Sequence, residues 1–110
     1  MQLSVRRVNT AVIFDISGDI DLSNSPEVRR LLLHEVRENR TPRVLMDLSK
    51  VRYMDSSGVA SLVEGLKASR DLGSRFILFG LSGNAREVLR LSRLLKVFEI
   101  YDSEESALSS

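Results

Sequence analysis

What most constrains the fold of this chain is an alternation of short apolar runs with stretches of helical period. Arg43 to Leu48 follows Pro42 and carries Val44-Leu45-Met46, a continuous apolar run of the kind a strand shows when helices cover both faces of its sheet. Arg75 to Phe79 repeats it. Between them Val59, Leu62, Val63 and Leu66 share one face of a helix that Ser56 or Ser57 caps and that ends near Gly73. Upstream, Ser25-Pro26 offers a cap and a first-turn proline for a helix carrying Val28, Leu31, Leu32 and Val36. Downstream, Asn84 with Glu87 three residues on makes a capping box for a third helix through Val88 and Leu91. A last strand, Val97 to Tyr101, precedes a short helix capped by Ser103 and running through Leu108. The chain opens on two strands, Leu3 to Val8 and Ala11 to Ser17, joined at Asn9-Thr10 as in a tight hairpin. Strands separated by helices run parallel with right-handed crossovers. The class is therefore α/β, with a mixed sheet of four or five strands and about four helices.

Composition sets the limits on function. At 110 residues the chain, 1–110, is one domain with no room for a second. Its 43% hydrophobic and 28% charged residues are those of an ordinary soluble globular protein. Sixteen Lys and Arg against 15 Asp and Glu leave a net charge of +1, no footprint for nucleic acid or for an anionic membrane. Cysteine is absent, which removes disulfides, thiol nucleophiles and thiolate metal sites and suits a reducing compartment. Asn9, Thr10 and Asp15 interrupt the early apolar residues, so no secretory h-region forms and a cytoplasmic location is expected.

In open α/β sheets, function gathers in the loops beyond the carboxyl ends of the strands. Two loops qualify: Gly18 to Ser25, and Lys50 to Ser57. In Asp55-Ser56-Ser57-Gly58 one serine caps the helix, and a hydroxyl so placed is also exposed beside a glycine that admits close approach of a partner. A phosphate there brings about −1.5 to −2 charge, which the helix N-terminus attracts and Asp55 repels, a balance that suits a switch. In Gly18-Asp19-Ile20-Asp21 the carboxylates close a turn, with Asp21, Ser23, Asn24 and Ser25 competing to cap the first helix, or form an acidic contact surface. Asp19, Asp21 and Asp55 lack the spacing of a dedicated calcium loop, and no metal or cofactor is expected. Arg86, Arg90 and Arg93 share a helix face that is solvated or meets an acidic partner. His34, the sole histidine, has no nucleophile near it, Gly80-Leu81-Ser82-Gly83 misses the nucleophile-elbow spacing, and no glycine loop cradles phosphate. An enzyme is not expected.

The segment VLMDLSKVRYMDSSGVASLVEGL, Val44 through Leu66, resembles the STAS domain, the family shared by anti-sigma-factor antagonists and the cytoplasmic tails of sulfate transporters. Its most specific part is Tyr53-Met54-Asp55-Ser56-Ser57-Gly58 before an apolar helix, joined by Gly18-Asp19-Ile20-Asp21 at the expected distance upstream. The resemblance implies that Ser56, directly after the aspartate, is the phosphoacceptor, and that Asp21 lies in a partner-contact loop. With Asp19, Ser23, Asp55, Ser57 and Gly58 these residues form the expected contact surface. The partner so implied is an anti-sigma factor with serine kinase activity, and the process sigma-factor-dependent transcription. The alternative is a STAS subunit that binds the ATPase of a lipid-transport ATP-binding cassette system. Gly83 stands where relatives often have proline, and Arg93 where a glycine often follows the third helix. Asp47 ends a buried strand as a receiver-domain phosphoacceptor would, but the acidic pair that receivers carry after their first strand is missing.

Overall fold

The computed structural model describes residues 1–110 and gives a five-stranded mixed sheet with helices packed on it. Strands β1 (Gln2–Val8) and β2 (Ala11–Ile20) form the antiparallel hairpin, turning at Asn9 in a left-handed conformation that asparagine tolerates. Strands β3 (Arg43–Met54), β4 (Arg75–Phe79) and β5 (Glu99–Tyr101) then add in parallel, so spatial order follows chain order. The helices are α1 (Ser25–Leu33), α2 (Ser56–Leu72), α3 (Gly83–Leu91) and α4 (Glu104–Ser109).

Strand side chains alternate faces, so the continuous apolar runs of the strands make both faces of the sheet apolar. Val12, Phe14, Ile16, Val44, Met46, Leu48, Phe76 and Leu78 form one core with Val28 and Leu32 of α1, Leu62 and Leu66 of α2, and Ala85 and Leu89 of α3. Ala11, Ile13, Leu45, Ile77 and Phe79 face the other way and are closed over by Ala107 of α4. The buried run in β3 is thus covered on both sides, as its sequence requires. Arg43 and Arg75 fasten the α4 end by donating to the carbonyls of Leu108 and Ser110.

Several boundaries differ from the sequence expectation. Asn24, not Ser25, precedes α1, without a side-chain cap; Ser25 is buried, and Pro26 occupies the first turn. After Leu33 the helix widens into a π turn, His34–Glu38, which lets the consecutive residues Glu35 and Val36 both point inward. The Glu35 carboxylate there accepts from Thr41 at 2.8 Å and Arg7 at 2.9 Å, while His34 is exposed. Ser82 caps α3, its Oγ accepting from the Ala85 N–H, so the capping box at Asn84 does not form; Glu87 pairs with Arg90 instead. β5 starts at Glu99 rather than Val97. Most consequential for the site, β2 continues to Ile20 and β3 to Met54, so the two expected loops shrink to Asp21 to Asn24 and to Asp55 alone.

Candidate functional site

The site grows out of the last rung of the parallel pair. Ile20 and Met54 are in register, and the Asp55 N–H donates to the Ile20 carbonyl at 3.1 Å, so β2 and β3 release the chain side by side. Asp55, extended at φ −93°, ψ −175°, is the residue that caps α2, correcting the expectation that a serine does so. Its Oδ1 accepts from the backbone N–H groups of Ser57 at 2.9 Å and Gly58 at 3.3 Å, and also from the Ser57 hydroxyl. The Ser57 hydroxyl, with the amides of Gly58, Ser57 and Leu22, holds the Asp55 carboxyl below the usual carboxylate range. Ser57 is thereby tied down. Ser56 is the first residue of α2, is exposed, and its hydroxyl has no hydrogen-bond partner within the chain.

Gly58 is buried, so it spaces the elements and is not exposed to a partner. A Cβ there would lie 2.6 Å from Met54 Cγ and 2.9 Å from Ile20 Cγ2, closer than real side chains approach. Only glycine lets the first turn of α2 settle on the ends of β2 and β3, and that contact sets where Ser56 stands. From the other side Asn84 of α3 accepts the Met54 N–H at 3.0 Å, a role for Asn84 that replaces capping.

The Asp21 to Asn24 loop is braced by its own side chains. Asp21 Oδ1 accepts from the Ser23 N–H at 2.9 Å and the Ser23 hydroxyl at 2.5 Å; Asn24 accepts from the Asp21 N–H and donates to the Asp19 carbonyl. The Asp55 N–H, donating to the Ile20 carbonyl, joins the start of this loop to the start of α2. Asp19 sits one step back on β2, gripped by both Nε and Nη2 of Arg52 at 2.9 and 2.8 Å, and that guanidinium lowers its pKa. The structure therefore brings Asp21, Ser23, Asp55, Ser56 and Ser57 to one edge of the sheet, with Asp19 at its margin. The three carboxylates do not converge: each has its own partner in Arg52, Ser23 or Ser57.

Two residues of this edge, Leu22 and Tyr53, were not among the expected contact residues, although Tyr53 belongs to the motif. Leu22 is 75% exposed and Tyr53 49% exposed, the apolar surface that a protein contact would use. A leucine within an otherwise polar turn, Asp21-Leu22-Ser23-Asn24, was the available signal. Beside the serines a shallow cleft of ≈ 260 Å³ runs between α1 and α2, bordered by Pro26, Arg29, Ser57, Ala60 and Glu64.

The sequence profile of the STAS domain matches residues 2–107. The chain is 33% identical over 90 residues to an anti-sigma-B factor antagonist of Listeria monocytogenes, an alignment covering 81% of this chain and 77% of the relative. Its fold is similar to that of an anti-sigma factor antagonist from Mycobacterium paratuberculosis, with TM-score 0.86 and 22% identity over 98% of this chain and 91% of that one. It is also similar to the Bacillus cell fate determinant SpoIIAA in its phosphorylated form, with TM-score 0.78 and 20% identity over 98% and 97% of the two chains.

Proposed function

Because this chain belongs to the STAS domain family, we propose that it is an anti-sigma factor antagonist, a cytoplasmic binding protein and not an enzyme, switched off by phosphorylation of Ser56. Its partner is an anti-sigma factor that is also the serine kinase, and binding it frees a sigma factor for transcription. The contact surface is Asp19, Asp21, Ser23, Asp55, Ser56 and Ser57, with exposed Leu22 and Tyr53 supplying apolar area and Gly58 the spacing beneath them.

One observation carries the assignment of the switch: of two adjacent serines, only Ser56 offers an exposed hydroxyl without a hydrogen-bond partner. The Ser56 oxygen takes the γ-phosphoryl of ATP, ADP leaves, and the hydroxyl proton passes to a base of the kinase. The relative solved in its phosphorylated form supports this chemistry on the same fold. A phosphate at the first residue of α2 is attracted by the helix N-terminus but repelled by the carboxylate of Asp55, whose pKa the Ser57 hydroxyl lowers. The fold tolerates the group, whereas a partner surface shaped to the free serine does not.

Incubation with ATP and the anti-sigma factor kinase of the same organism, followed by mass-spectrometric mapping, tests the assignment. Phosphate on Ser56 alone is expected. Exclusive modification of Ser57, or none, overturns it.

A further inference from the structure

The end of α3 carries a feature that the Ser56 edge does not explain. The helix closes in a Schellman arrangement, with the Arg93 N–H donating to the Arg90 carbonyl at 3.1 Å and the Leu94 N–H to the Leu89 carbonyl at 2.8 Å. This puts Arg93 at φ 60°, the left-handed position that a glycine would occupy without strain. Arg40 is also left-handed, at φ 52°, but its guanidinium donates to the Arg37 carbonyl and so serves the fold. The Arg93 guanidinium has no hydrogen bond or ion pair within the chain, and neither have the side chains of Arg86 and Lys96. Interleaved with these cations in the sequence are Leu91, 67% exposed, and Val97, 41% exposed. Four of the 16 Lys and Arg but only one of the 15 acids, Glu87, fall between 83 and 98, and Glu87 is paired with Arg90, so the net charge of +1 conceals a tip with three unpaired cations.

We propose that this tip, Arg86 to Val97, is a peripheral contact for an anionic bilayer surface. Its charge complements acidic headgroups, and Leu91 and Val97 reach the interfacial layer. None of the three clefts in the surface is lined by a residue between 83 and 98, so Leu91 and Val97 stand out from the surface and do not line a groove. A bilayer needs no pocket, because it moulds to a protruding side chain. Because the contact rests on exposed charges, it is reversible and salt-sensitive; no helix of the chain is long and apolar enough to cross a membrane. The proposal is independent of the Ser56 reading.

Sedimentation of the full chain with phosphatidylglycerol vesicles, phosphatidylcholine vesicles serving as the neutral control, tests it. Binding to the anionic vesicles alone is expected, falling as salt rises. Arg93→Gly keeps a well-formed helix end, so its loss of about fivefold in affinity, one cation's share near such a surface, reports charge and not misfolding. Leu91→Ser weakens binding further. Equal binding to both vesicle types, or undiminished binding by Arg93→Gly, overturns the proposal. So does failure to bind vesicles combined with salt-sensitive binding of polyglutamate, which assigns the tip to an acidic protein.

Discussion

At the start of α2 the Asp55 carboxylate accepts the Ser57 hydroxyl and two amides and leaves Ser56 as the only unengaged hydroxyl, the basis of the proposed choice between two serines. Asp55→Ala releases Ser57, and phosphosite mapping after kinase treatment is then expected to find both serines modified. Beneath them, Gly58→Ala forces a methyl into Met54 and Ile20 and is expected to destabilise by roughly 1–3 kcal/mol, the usual range for overpacking, in urea unfolding. Ser69 gives the opposite sign. Its hydroxyl is buried in α2 without a partner, so Ser69→Ala removes a desolvated group and adds helix propensity, raising stability by about 1 kcal/mol in the same assay. The Asp-Ser-Ser-Gly motif was legible in the sequence, and so was its place at a helix start. Which residue caps was not, since Asp and Ser are comparable caps and the choice rests on the backbone angles of Asp55. Gly58 read as an opening for a partner because sequence does not reveal what packs under a helix.

Within a single element, Arg93→Gly relieves a left-handed arginine at the end of α3 and is expected to stabilise the helix by about 1 kcal/mol in thermal unfolding. Asn84→Ala acts through a junction between elements. It leaves the Met54 N–H without its acceptor and is expected to cost roughly 1–3 kcal/mol, with amide exchange quickening at Met54. The strand and helix cores were legible because their apolar periods are unmixed, as in Arg75–Phe79, which lies where it was expected. The far half of β3 was not. Its pairing with β2 shifts register twice, with the extra residue on β3 each time, so buried Leu48, Val51 and Met54 recur every third residue and hide the strand's period of two. The π turn was hidden likewise: two adjacent inward residues, Glu35 and Val36, fit no single helical face.

Across the whole molecule, charge links the fold to its working conditions. Asp15 is held low chiefly by Arg6. Burial raises Glu35, but hydrogen bonds from Thr41 and Asn39 and the charge of Arg7 outweigh it; burial likewise raises Glu99, and Arg75 and Tyr101 outweigh it. All three carboxyls are depressed in the folded state. Their contribution is therefore complete above the unfolded carboxylate range, about pH 4–4.5, and is lost as pH falls through the folded values. The urea midpoint is expected to drop below about pH 4.5, and less steeply in Glu35→Gln. The α/β class, the antiparallel start and the later parallel strands were legible from element order, whereas the basic tip was invisible to a net charge summed over the whole chain. A charge at Ser56 is expected to act at the partner interface and to leave this fold in place. Calorimetric titration of the anti-sigma factor against unmodified and Ser56-phosphorylated protein tests it most directly, with circular dichroism of both. Unchanged spectra are expected, with an affinity weakened by about thirty- to a thousandfold, from an interface penalty of roughly 2–4 kcal/mol. Equal affinities would contradict this.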